Sequence, residues 1–322
     1  MFREGKFIHL YPMGKKLIFC ISGLWLATLI LAAQPEVRTG ISEGELTVGN
    51  MQRSFLVYVP QSYNASVKCP VIFLFHGGGG TPRSILNISY RGDFRDISER
   101  ENILLVAPEG YEKSWNDGRG TKADLANVDD VAFVRELLGY LSTHYAADPS
   151  RFYAAGISNG GFMVSLLGCE ARNQFAAIAV VAATMGTGTF SDCKPGFALP
   201  VMYIHGTDDP LVPIDGGDKT IGADGPFVSH RQVIGKWVAI DGCNPRPVVT
   251  EMPNTAYDGT TITREVFKGV RNGSEVVSYV IQNGGHTWPG GKQYLPRAII
   301  GRVSRDMNGC EVMWEFFRRY KR

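Results

Sequence analysis

Five short apolar runs are spaced along the chain, at residues 70–75, 103–107, 151–156, 175–183 and 200–204. A strand with one wet face alternates polar and apolar residues, whereas a continuous apolar run is covered on both faces. Helical periodicities fall between these runs. The clearest is 129–145, where apolar residues recur at spacings of three and four and Asp129 and Asp130 suit a helix start. Covered strands alternating with helices predict a doubly wound α/β domain, a mostly parallel sheet with helices on both faces. A hairpin signal around Gly49-Asn50 within 45–60, two late strands at 261–267 and 275–282, and a closing amphipathic helix at 307–320 complete the outline.

Composition narrows the partners. The 322 residues are 44% hydrophobic and 20% charged, which excludes a disordered, collagen-like or polytopic membrane protein. A net charge of +2, with both signs interleaved, leaves no basic stripe for a nucleic acid. Lys15 and Lys16 precede an apolar run at 17–33 that ends at Gln34-Pro35, the order of a secretory signal, with translation starting at Met1 or Met13. Ala33 suits the residue before a cut, but Leu31 is large for its position. An uncleaved anchor is therefore the alternative, and the only route to membrane contact. The expected organisation is a signal segment at 1–33 and one domain at 34–322, delivered to the periplasm or the extracellular space.

Beyond the apolar run remain Cys69, Cys169, Cys193, Cys243 and Cys310, so at most two disulfides can form. Cys169 and Cys193 flank one strand candidate and are the favoured pair. No cysteine spacing is that of a zinc site.

Gly156-Ile157-Ser158-Asn159-Gly160 matches the G-x-S-x-G pattern, but Gly40-Ile41-Ser42-Glu43-Gly44 matches it too. Context separates them. A buried strand leads into Ser158 and a helix candidate at 162–172 follows, the strand-to-helix corner that exposes a serine hydroxyl above a sheet edge. The match at Ser42 has no such setting and is accidental. A serine needs a histidine to take its proton and an acid to hold that histidine. His286, in a glycine-flanked loop after the last strand, suits the base. Asp208 and Asp209, after the strand ending at Ile204, both fit the acid by spacing. His76-Gly77-Gly78-Gly79-Gly80 ends the first covered strand, and an N–H from Gly77 or Gly78, with that of Asn159, would form an oxyanion hole. A phosphate-cradling loop would want a lysine and a hydroxyl residue that this loop lacks, so no nucleotide is expected. Two glycine-rich stretches, 186–196 and 215–226, are long enough to be binding loops or lids. Arg91-Gly92-Asp93 and the glycosylation patterns at Asn64, Asn87 and Asn272 receive no role.

Set in order, these segments resemble the secreted polyhydroxybutyrate depolymerase and feruloyl esterase-like family of α/β hydrolases. Its marks are the His76 glycine run, Ser114-Trp115-Asn116-Asp117, Val128-Asp129-Asp130, the motif at Ser158, His205-Gly206-Thr207-Asp208-Asp209 and Gly285-His286-Thr287-Trp288-Pro289-Gly290. The resemblance implies the α/β-hydrolase fold, Ser158 as nucleophile, His286 as base and Asp209 as the acid. It also implies Trp115, Asn116 and Trp288 near the site mouth, with core packing an equal alternative for Trp288. The family's second cysteine falls where this chain has Val270, which leaves Cys243 either free or paired with Cys310. The implied activity is ester hydrolysis through an acyl-enzyme without a cofactor. Candidate substrates are hydroxybutyrate oligomers, hydroxycinnamate esters on polysaccharide and acetylated polysaccharide; a peptidase of the same fold is the alternative.

Overall fold

The computed structural model describes residues 37–89, 92–171, 173–269 and 273–322, which belong to one compact unit. The expected signal segment, Arg91, Arg172, Val270 and Asn272 lie outside the described residues. In chain order the elements begin with β1 (Gly40–Val48), β2 (Met51–Val59), β3 (Cys69–Phe75), α1 (Pro82–Leu86), α2 (Phe94–Glu101) and β4 (Leu104–Pro108). Then come α3 (Lys122–Leu125), α4 (Asp130–His144), β5 (Ala147–Ile157), α5 (Asn159–Glu170), β6 (Ala177–Val181), α6 (Thr187–Asp192) and β7 (Val201–Gly206). The chain closes with α7 (His230–Ile240), β8 (Val248–Glu251), β9 (Thr261–Lys268), β10 (Glu275–Gln282), α8 (Arg297–Ile300) and α9 (Gly309–Phe317).

The ten strands form one sheet in the order β1-β2-β4-β3-β5-β6-β7-β10-β9-β8. The six central strands run parallel, and antiparallel pairs flank them on both sides. This is the doubly wound sheet that the apolar runs predict. All seven residues of β3 are buried, and they alternate between two cores. Phe73 and Phe75 face the layer with Leu137 of α4, Phe162 of α5 and Trp237 of α7. Ile72 and Leu74 face Ile85 of α1, Ile97 of α2 and Met313 of α9. A strand with both faces apolar can sit only between two helical layers.

The local signals explain the ends. The β1–β2 turn is Gly49-Asn50, with Gly49 at φ 61° between the paired Val48 and Met51. Asp129 caps α4, its carboxylate accepting from Ala132 N. The accidental match at Ser42 lies inside β1, with no corner to turn. Strand β8 escaped the sequence reading because all four of its residues are exposed and carry no burial pattern. The stretch 186–196, expected to be a loop, holds α6, and it borders a second cavity beside Cys169 and Cys193 rather than the one at Ser158.

Cys169 and Cys193 form a disulfide across a separation of 24 residues. Cys69, Cys243 and Cys310 are buried free thiols. Burial pushes the Cys69 and Cys243 thiols up to about 11, which keeps them protonated and unreactive. A loop of this size predicts that replacing both bonded cysteines by alanine lowers stability by about 3 kcal/mol. Urea unfolding under oxidising conditions checks this, and a loss under about 1 kcal/mol would contradict it.

Candidate active site

Ser158 sits between β5 and α5 at φ 56° and ψ −129°, a backbone conformation costly for a residue with a β-carbon. The corner persists because its surroundings permit nothing else. Ser158 N donates to Val181 O at 3.0 Å, tying the turn to β6. A β-carbon at Gly156 would collide with the Gly160 carbonyl, and one at Gly160 with the carbonyls of Phe75 and His76. The glycines of the motif are therefore required by the close approach of β5, α5 and the end of β3. A β-carbon at Gly77 would lie 3.3 Å from Ser158 Cβ, so the glycine run passes directly alongside the serine. Asn159 opens α5, where backbone N–H groups lack intrahelical partners.

The glycine run is held by a histidine. Gly110 N donates to His76 Nε2 at 3.1 Å, so that nitrogen carries the lone pair and Nδ1–H donates to Gly77 O at 2.8 Å. Burial lowers the His76 pKa to about 4, so the ring stays neutral and anchors rather than moves protons.

His286 follows β10, its loop pinned by His286 N donating to Ile300 O at 2.6 Å and by Tyr294 Oη donating to His286 O at 2.9 Å. Its Nδ1 lies 2.8 Å from Asp209 Oδ2. An ionised carboxylate only accepts, so Nδ1 bears the hydrogen and Nε2 of the neutral ring is a base. Asp209 Oδ1 accepts from the N–H groups of Leu211 and Val212 at 2.9 and 2.8 Å, and His205 Nε2 lies 3.5 Å from Oδ2. Burial alone would raise the Asp209 carboxyl, but the hydrogen bonds from His205 and His286 outweigh it and hold the carboxyl well below the usual range. Asp208 is exposed and accepts from Thr207 Oγ1 instead. Spacing left the two acids level; burial and direction separate them.

Ser158, His286, Gly77, Gly78 and Asn159 border one cavity of about 980 Å³. Ile157, Leu211, Val212, Tyr294 and Leu295 give it apolar walls, and Thr220–Ala223, within the second glycine-rich stretch, close another side. The expectation for Trp115 and Asn116 at the site mouth is corrected, since neither lines this cavity, and of the two alternatives for Trp288 the structure has core packing. Trp115 is fully buried against Phe75, with Nε1 donating to His76 O at 2.8 Å. Its backbone N–H and C=O are bracketed by the Asn159 amide, which also donates to Asp117 at 2.8 Å. Trp115 thus holds the glycine run and the start of α5 together from behind. Asn116 donates to Val128 O and borders the second cavity, and Trp288 packs edge-on against Phe94 in the core. Sequence reasoning missed Tyr294, Arg119 and Lys113 as cavity residues because no motif marks them; only the 215–226 stretch carried a signal, its length.

A serine at a strand-to-helix corner, bordering one cavity with a histidine paired to a buried carboxylate, on a mostly parallel doubly wound sheet, defines an α/β hydrolase. Residues 47–289 match the Esterase family, described as "Putative esterase", and the chain belongs to that family. It is a hydrolase of carboxylic ester bonds. It is 28% identical over 77% of its length, and 73% of the relative, to "Putative esterase NocK" of Nocardia uniformis subsp. tsuyamanensis. Feruloyl esterase C of Emericella nidulans is 27% identical, over 82% of this chain and 83% of that one. Among solved structures, acetyl xylan esterase from Aspergillus awamori shares the fold, with a TM-score of 0.58 at 13% identity over 86% of this chain and 99% of that one.

Proposed function

We propose that this chain is a secreted serine carboxylesterase acting on hydroxycinnamate esters. The observation that carries the mechanism is the 2.8 Å contact of His286 Nδ1 with Asp209, which leaves Nε2 as a base in the cavity that Ser158 borders. Ser158 Oγ attacks the ester carbonyl while His286 Nε2 takes the hydroxyl proton. The N–H groups of Asn159 and of Gly77 or Gly78 receive the oxyanion. His286 then returns the proton to the departing alkoxide, leaving an acyl-serine. Water, deprotonated by the same nitrogen, attacks the acyl carbon, and as the bond to Ser158 Oγ breaks the proton passes from Nε2 to that oxygen, releasing the acid and restoring Ser158 and His286.

No step in this sequence calls for a cofactor. The apolar walls suit an aromatic acyl group, and the likeness to a feruloyl esterase favours a hydroxycinnamate over a hydroxybutyrate chain. Secretion is supported by the order of charges and apolar residues at 15–35 and by the disulfide, a bond of oxidising compartments. Among the described residues no helix is long and apolar enough to cross a membrane.

The test uses protein beginning at Gln34 with Ser158→Ala as blank. A fluorophosphonate is expected to label wild type and not the variant, and kcat/KM for methyl ferulate is expected to exceed that for a 3-hydroxybutyrate trimer. The reverse order would move the assignment to polyester oligomers. Folded wild type that takes no label would overturn the serine mechanism.

A further inference from the structure

The cavity is more basic than the protein around it. The chain has 33 basic and 31 acidic residues, yet the cavity is lined by Arg83, Lys113, Arg119, Lys122 and Lys292 against the single acid Glu112. Arg83 pairs with Glu43 at 2.8 Å, Arg119 with the buried Asp117 at 2.7 Å, and Lys122 with Glu112 at 3.7 Å. Lys113 makes no salt bridge among the described residues; the carboxylate whose charge it meets is that of Glu109, which does not line the cavity. Its backbone is also held at a cost. Glu112 and Lys113 form the centre of the Tyr111–Ser114 turn at φ 45° and 61°, where Asn-Gly would be the unstrained choice. Lys113 O accepts from Gly79 N at 2.8 Å, which fastens this turn to the glycine run beside Ser158. Two strained positions filled by charged residues, both on the cavity wall, point to the side chains rather than to the turn.

We infer that Lys113 is a substrate-binding residue, and that the preferred ester carries a carboxylate on a part of the molecule remote from the scissile bond. The inference rests on the ester-hydrolase reading of the site and adds the charge of the substrate to it. With a hydroxycinnamate acyl group the carboxylate lies on the alcohol half, as in an ester of a uronate; a carboxylate on the acyl half, as in a dicarboxylic hemiester, would keep the esterase reading and replace the hydroxycinnamate. A cleft with an excess of one sign draws in the opposite charge, an effect that salt weakens.

The experiment compares kcat/KM for mono-4-nitrophenyl glutarate, and separately for 3-acetoxybenzoate, with the same compounds bearing a primary amide in place of the carboxylate. Wild type is expected to prefer the anion in one of the two arms, by about threefold at low salt, the size of one partly exposed charge pair. Lys113→Asn is expected to bring that ratio to about one and Glu112→Gln to raise it. Asparagine tolerates the left-handed backbone, so the Tm of Lys113→Asn is expected to match or exceed that of wild type. A wild-type ratio of one or below in both arms overturns the inference, as does a ratio indifferent to Lys113→Asn. Loss of Ser158-dependent turnover of the neutral amides as well is a different failure, that of the esterase reading itself.

Discussion

Ser158→Ala and Ser158→Gly are each expected to lose about 10⁵–10⁶-fold in kcat on an ester substrate, the scale of removing a nucleophile whose partners act as a unit. The two variants are expected to part in stability. Ser158 holds φ 56° and ψ −129° because Val181, Gly156 and Gly160 leave the corner no other course. Alanine keeps the β-carbon and therefore the strain. Glycine has none to strain, which returns roughly 1–3 kcal/mol, offset by roughly 0.5–1 kcal/mol of extra chain entropy in the unfolded state. Ser158→Gly should thus be more stable than Ser158→Ala by about 1 kcal/mol while equally inactive. Denaturant melts of the two variants beside a single-turnover assay read both quantities. Ser158→Gly less stable than Ser158→Ala by about 0.5–1 kcal/mol, the entropy cost alone, would mean that the corner carries no strain.

Asp209→Asn is expected to cost about 10⁴-fold in kcat with little change in KM, through the tautomer of His286. Oδ1 of Asp209 accepts from Leu211 N and Val212 N, so the asparagine oxygen must take that side. Its NH₂ is then turned toward His286 Nδ1, which has to become the acceptor and places the ring hydrogen on Nε2, where a base is needed. Because two N–H groups hold the orientation, the amide cannot flip without setting donor against donor. A variant that kept a tenth of wild-type kcat would rule out this role for Asp209. The same carboxyl has a signature in stability. Its pKa is held below the unfolded value of about 3.9, so its contribution is complete above that pH and is lost as pH falls through the depressed value. Tm of wild type should therefore fall more steeply than that of Asp209→Asn as the pH is lowered from 5 to 2.

Tyr153 and Trp314 illustrate how legibility differs along the chain. Both pack in the second core layer, where β5 meets α9, and both sit in segments whose hydrophobic period announced a strand and a helix. Periodicity is local, and the covered strands, α4, α5 and α9 could be read from it within a few residues of their ends. Fully exposed β8 gave no period and was not found.

The site divides in the same way. Ser158 and the glycine run were legible because a strand-to-helix corner and a close backbone approach demand residue types at fixed spacing. His286 and the pairing of Cys169 with Cys193 followed from chain order, a short list of candidates and position beside known elements. The choice between Asp208 and Asp209 lay beyond spacing, since neighbouring residues differ only in which way the turn after β7 points them. Trp115 and Asn116 were displaced, and Trp288 was left open, for a related reason. A motif shows that residues are held near a site, but not whether they face the cavity or brace it from behind. Tyr294 reaches the His286 carbonyl, and Arg119 and Lys113 reach the cavity wall, from loops with no period and no motif. Their positions come from long-range packing of those loops on the sheet, a property of the assembled chain rather than of any stretch of its sequence.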